Sequence, residues 1–329
     1  MTPPADPAPP DPSAGASERG AGRPGRIAFL GPEGTFSEQA LLTQADYAEM
    51  ELVPYRAIPD VLHAVSDGAV DVGFVPIENA IEGSVNVTLD ALIFDHDLKM
   101  QREVVIPIVM CLLAPPGTAL ADVQRVVSIP VATAQCRGFL AERLPGVTEL
   151  AANSTAEAAR IVAAEADGQT AAIGTSLAGK VHGLEILAED IEDHVDNQTR
   201  FVALTRAGIP APTGHDKTSI VVFQKADAPG SLLTILQEFA ARGINLTRLE
   251  SRPTKRGLGD YCFIIDLEGH IGDELVADAL RDLKSKNEDV LFLGSYHAAG
   301  AHGPEVRREA EAAWQAADAW LDGLRSEMP

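Results

Sequence analysis

Residues 26–42 read RIAFLGPEGTFSEQALL, and this stretch decides the fold class. Ile27 to Leu30 form a short apolar run, Gly31-Pro32-Glu33-Gly34 is a turn, and Thr35 with Glu38 has capping-box spacing at the start of a helix. A strand that feeds straight into a helix is the first half of a βαβ unit. Working outward, Val70 to Val75, Val126 to Ile129 and Thr170 to Gly174 read as further strands with helical patterns between them. The expectation is an α/β domain with a largely parallel sheet over residues 26–206.

That domain ends at a Gly- and Pro-rich linker, residues 207–216. The order over 217–297 is then strand (Thr218 to Gln224), helix (Gly230 to Arg242), strand (Ile244 to Ser251), strand (Gly259 to Leu267), helix (Asp273 to Leu283) and strand (Val290 to Tyr296). This βαββαβ order is ferredoxin-like and typical of small amino-acid-binding modules. An extension, 298–329, carries an apolar stripe of Val306, Ala310, Ala313, Ala317, Trp320 and Leu324 over an expected helix at 305–327. Residues 1–25 hold seven prolines and no periodic apolar face, the composition of a disordered tail.

Composition narrows the function. The chain has 329 residues and a formal net charge of -22, and residues 26–216 carry 11 basic and 27 acidic side chains. Such a field repels nucleic acid and anionic membranes, and no apolar run is long enough to span a bilayer or start a secretory signal. The expected location is cytoplasmic. Cys111, Cys136 and Cys262 are far apart, with no second Cys or His at metal-ligand spacing, which favours reduced, buried thiols over a metal site.

Four segments carry a family resemblance: Gly31 to Ser37 (GPEGTFS), Pro76 to Val85 (PIENAIEGSV), Asn197 to Phe201 (NQTRF) and Glu250 to Pro253 (ESRP). In this order, with a βαββαβ module following, the chain resembles the prephenate dehydratases. A looser fifth match, Ser128-Ile129-Pro130 followed by Gln135-Cys136, has Ile129 where the family commonly has His, and Ala80 stands where Ser or Thr is usual. The resemblance implies a two-lobed catalytic domain like a type II periplasmic binding protein, with lobe two at roughly 105–185, followed by an ACT regulatory domain. Decarboxylating dehydration of prephenate to phenylpyruvate is the implied reaction. Because aromatisation drives the elimination, no metal, nucleotide or other cofactor is expected.

The resemblance makes Thr199 the proton donor to the departing hydroxyl. Thr35 and Ser37, beside the first helix N-terminus, are candidate anion ligands. Asn79 follows a strand at the position where α/β sheets bind ligands, and Ser84 lies at the next turn, as either ligand or helix cap. Ser128 and Gln135 are candidates from lobe two. Arg200 offers a guanidinium fork for a carboxylate. On an alternating strand, however, it points away from Thr199 and Phe201, which share a face.

In the ACT module, Gly230, Ser231 and Leu232 with Glu250, Ser251, Arg252 and Pro253 are the implied L-phenylalanine site, formed across a subunit interface of a homodimer or homotetramer. Two rivals remain at this point. One is arogenate dehydratase, the same elimination on the amino analogue. The other is a non-catalytic amino-acid or solute sensor, since a two-lobed fold also serves binding proteins.

Overall fold

The computed structural model describes residues 25–225, 228–257, 259–299, 316, 319–320 and 322–326. The Pro-rich tail and most of the expected final helix therefore lie outside the described residues; those described from 316 to 326 are helical. Among the described residues no helix is long and apolar enough to cross a membrane.

Among the described residues, fifteen strands form two sheets. The first six are β1 (Arg26–Leu30), β2 (Glu51–Tyr55), β3 (Val72–Asn79), β4 (Gly83–Ser84), β5 (Lys99–Pro107) and β6 (Cys111–Ala114). Next come β7 (Arg125–Ser128), β8 (Thr148–Ala151), β9 (Thr170–Gly174), β10 (Glu185–Ala188) and β11 (Gln198–Thr205). The last four are β12 (Asp216–Phe223), β13 (Leu246–Pro253), β14 (Tyr261–Glu268) and β15 (Asp289–His297).

The smaller sheet has the order β10-β6-β9-β7-β8 and makes lobe two. The larger, ten-stranded sheet runs β13-β14-β12-β15-β5-β11-β3-β1-β2, with β4 paired to β3 off this path. Lobe one occupies the β5 to β2 end, and the chain crosses to lobe two after β5 and returns before β11. This is the two-lobed plan of a periplasmic-binding-protein-like domain. In each lobe the parallel strands are joined by antiparallel ones: β11 runs antiparallel to β3 and β5, and β6 runs antiparallel to β9 and β10. The largely parallel sheet expected from the alternation is therefore mixed, because the returning strand closes each lobe without a crossover helix.

Strands β12 to β15 have the ferredoxin-like order, with β15 facing lobe one. There β15 pairs in parallel with β5 at His297 and Arg102, and Lys99 Nζ donates to Phe292 O at 3.0 Å. Gly294 makes this approach possible: a Cβ there would lie 2.5 Å from Met100 O. The hydrophobic core follows the same continuity, since Val202 and Leu204 of β11 pack in one cluster with Val221, Ile264 and Tyr296.

Candidate functional site

The cleft between the lobes holds a cavity of about 350 Å3, lined by Thr35, Ser37, Arg56, Asn79, Glu82 and Thr199 from lobe one. Lobe two lines it with Ile129, Gln135 and Asn153 to Thr155. Thr199 lies on β11 opposite Asn79, the last residue of β3. Asn79 Oδ1 accepts the backbone N–H groups of Ile81 and Glu82, both at 2.9 Å, which fixes the orientation of the amide. Its Nδ2 then donates to Thr199 Oγ1 at 2.9 Å and Asn197 Oδ1 at 2.9 Å, with Gln198 O farther off at 3.2 Å. The Thr199 oxygen is thus already an acceptor, and its own proton has no acceptor among the described residues. The side chain is largely buried but lines the cavity.

The Asn79 amide begins a chain that crosses the cleft. Asn197 Nδ2 donates to Gln135 Oε1 at 3.2 Å, and Gln135 Nε2 donates back to Glu82 Oε1 at 3.0 Å. At the other side of the cleft Thr175 Oγ1 donates to Gly34 O at 2.6 Å. Gly34, at φ +85°, packs so closely on Ala178 that a Cβ would lie 3.0 Å from its Cα.

The first helix, Phe36–Leu42, starts as its sequence predicts, with Thr35 as N-cap. Thr35 Oγ1 donates to Leu30 O and accepts from Glu38 N, so its one proton is taken up within the cap rather than offered to a ligand. Glu38 reaches back to accept the Gly34 N–H at 2.5 Å. Burial raises the Glu38 pKa and Glu33 adds to the rise, against the opposing effect of the Gly34 bond. The helix end therefore meets a carboxyl of its own chain. Ser37 is the freer of the two hydroxyls: it lines the cavity and bonds no other described residue.

Three candidates do not face the cavity. Arg200 points to the opposite side of β11, as strand alternation requires, and enters a buried cluster with the ACT domain. Its guanidinium contacts Asp266 (2.6 Å), Tyr296 Oη (2.7 Å), Glu103 (3.1 Å) and Glu78 (3.3 Å). Ser84 belongs to the same junction, with Glu250 Oε2 and Arg248 Nη2 each at 2.5 Å. It is neither a helix cap nor a cavity residue, because the helix Asn86–Asp90 takes Val85 as its N-cap. Ser128 is buried and donates to Ile173 O at 2.8 Å, fastening β7 to β9. Phe201 does line the cavity and stacks on Phe74 with ring centroids 5.3 Å apart.

The regulatory candidates lie on two elements of the ACT domain. Gly230, at φ +87°, is the N-cap of the helix Ser231–Ala240; Ser231 Oγ bonds Gln224, and Leu232 packs against the domain core. Glu250 to Pro253 end β13, the outermost strand of the sheet. Arg252 contacts Asp90 and, at 2.5 Å, Asn86 Oδ1, so this segment touches the lobe-one helix Asn86–Asp90. The three cysteines are free and buried, and burial pushes the Cys111 and Cys136 thiols up to about 12.

Sequence reasoning passed over Asn197, Glu82, Arg56 and Asn153 to Thr155. Asn197 and Glu82 stand within the quoted motifs but were given no role. Ser154 with Glu157 is a capping box after β8, the same signal that marked the first helix. Arg56 is the residue directly after β2, at the carboxyl end of a parallel strand.

The prephenate dehydratase family model matches residues 27–208, and the ACT domain model matches 218–285. The chain is 43% identical over 321 residues to the prephenate dehydratase of Mycolicibacterium vanbaalenii, covering 92% of this chain and 99% of that one. The prephenate dehydratase of Arthrobacter aurescens, solved in complex with L-Phe, superposes with a TM-score of 0.81 at 40% identity, covering 92% and 99%. GqqA, described as a novel type of quorum quenching acylase, superposes with a TM-score of 0.75 at 32% identity, covering 83% and 98%.

Proposed function

Because the chain belongs to the prephenate dehydratase family, we propose that the interlobe cleft converts prephenate to phenylpyruvate, carbon dioxide and water, with Thr199 as the donor to the leaving hydroxyl. The ring carboxylate departs as carbon dioxide, and its bonding electrons move through the ring to make it aromatic. They expel the hydroxyl across the ring, which takes a proton and leaves as water; solvent restores that proton to the site.

The observation that carries this reading is the state of the Thr199 hydroxyl. With Asn79 Nδ2 donating to its oxygen at 2.9 Å, the hydroxyl keeps its proton free for a group in the cavity that Thr199 lines, and polarisation makes it a better donor. A neutral hydroxyl is a weak acid, so its contribution is a hydrogen bond that strengthens as charge builds on the departing oxygen. Ser37 and Gln135 are the polar groups best placed to orient the substrate around it, and closure of the lobes excludes water.

Thr199→Val keeps the β-branched shape and removes the hydroxyl. Phenylpyruvate formation from prephenate should fall about a hundredfold or more in kcat, with KM little changed. A variant as fast as the parent would remove Thr199 from the mechanism.

Feedback by L-phenylalanine is the second part of the reading. The Arthrobacter aurescens relative was solved with L-Phe, and the Gly230 to Leu232 and Glu250 to Pro253 segments are the candidate site here. The outer edge of β13, which pairs with no other strand among the described residues, supports a subunit contact beside that site and a homodimer or homotetramer; the enzyme is read as cytoplasmic. Titrating L-phenylalanine while following turnover tests the regulation, and a flat rate would oppose it.

A further inference from the structure

We propose that Arg56 anchors the side-chain carboxylate of the substrate, the carboxylate that survives the reaction. The inference rests on the prephenate reading above and adds the group that offsets the substrate's charge.

Arg56 follows β2 and lines two adjoining spaces: the catalytic cavity and a second cavity of about 800 Å3 that also touches Glu157, Arg160 and His182. Among the described residues lining the catalytic cavity it is the one cation, and Glu82 is the one acid. A dianion entering that cavity without Arg56 would lose water against a wall with no positive charge. The chain as a whole makes matters worse, with 48 acidic against 26 basic side chains. In such an acidic protein most guanidiniums are taken up: Arg102 by Asp46, Arg125 by Asp167, Arg200 by Asp266 and Arg252 by Asp90. Arg56 bonds no described carboxylate, although it is exposed at the cleft where an anion must arrive.

Chemistry decides which carboxylate it holds. A cation fixed on the ring carboxylate would stabilise the charge that must leave as carbon dioxide, deepening the ground state and slowing the step. On the side-chain carboxylate, which is unchanged from substrate to product, the same cation supplies uniform binding. Its removal should therefore appear in KM, with kcat preserved. From the other lobe, Asn153 and Ser154 line both spaces as well, so closure brings polar groups against the anchored end.

The test compares the parent with Arg56→Gln and Arg56→Lys, using prephenate turnover and calorimetric binding of phenylpyruvate. The Gln variant should raise KM about tenfold and weaken phenylpyruvate by the same factor, with kcat within about twofold and Tm unchanged. The Lys variant should recover part of both, since a point charge lacks the fork. Unchanged KM and phenylpyruvate affinity would overturn the anchor while leaving the reaction in place. A fall in kcat with intact phenylpyruvate binding would also overturn it, since the product lacks the ring carboxylate. A parent that binds phenylpyruvate through Arg56 yet forms none from prephenate would sink the reaction and keep the anchor. A parent that does neither would sink both.

Discussion

Lobe one has two neighbours, and it meets them by different means. Against lobe two the cleft is rimmed by discrete polar bonds, such as Gln135 with Glu82 and Thr175 with Gly34, beside an apolar cluster that runs from Phe29 and Phe74 to Val126 and Ile173. Against the ACT domain the sheet itself continues, and charged side chains are buried between them. Each bond at the rim is worth about 1 kcal/mol net and exchanges for water at little cost. A shared sheet over a desolvated ion cluster makes an interface that moves as a block. Strand β11 belongs to both, with Thr199 and Phe201 facing the cleft and Arg200 facing the ACT domain. A displacement of the regulatory domain therefore acts on the strand that carries the proposed donor.

The sharpest way to break this contrast is to remove Arg200. In Arg200→Met the carboxylates of Asp266 and Glu103 lose their shared guanidinium, and only Glu103 retains Lys217, at 2.9 Å. Leaving buried charge unpaired should cost about 3–5 kcal/mol, measured by urea denaturation. The cluster also sets an acid limit. Burial by itself would raise the Asp266 pKa, but Arg200, Arg248 and the bond from Ser219 outweigh it and hold it below the ordinary value. A lowered carboxylate contributes its stability above the unfolded value of about 3.9, and that stability is lost as pH falls through the folded value. Asp266→Asn should therefore flatten stability against pH in the acid range.

Next in size is Gly294→Ala, which sets a methyl 2.5 Å from Met100 O where the domains' strands meet. Relieving that clash moves backbone, at a cost of about 1–3 kcal/mol read as a lower Tm. Gln135→Leu probes the other interface. It removes both cross-cleft bonds of the amide chain, so kcat/KM should fall about tenfold while Tm stays near that of the parent. A Tm loss equal to that of Arg200→Met would erase the distinction between a hinge and a block.

The elements of both folds were legible because their signals are local. Capping residues, Gly turns and apolar alternation placed Thr170–Gly174 to the residue and put Thr199 and Phe201 on one face. What stayed hidden depends on contacts distant in sequence. The antiparallel return of β11 leaves no mark in its own residues, and Ser84 meets Glu250 across 166 positions. Ser128 misled because a hydroxyl at a strand end suits a ligand and a neighbouring carbonyl equally well. Arg200 shows the reverse case, where the period of two already argued against the carboxylate role that its chemistry suggested. Glu38 illustrates a third limit: the capping box was visible, but that its carboxyl would occupy the helix start, at the expense of a ligand there, was not.

The smallest effect separates the two interfaces by solvent access alone. Charges lining the cleft are open to counterions, whereas Asp266 and Arg200 are buried. Salt has a Debye length of about 10 Å at 0.1 M, so it screens the first set and hardly reaches the second. Raising ionic strength should lift kcat/KM for the dianionic substrate about twofold, because the repulsion of the acidic catalytic domain weakens. In Arg56→Gln, where no cation offsets that repulsion locally, the rise should be steeper. The stability difference between the parent and Arg200→Met should hold across the same salt range. A difference that shrinks as salt is added would mean that water and ions reach the cluster, and the junction would then resemble the cleft in opening.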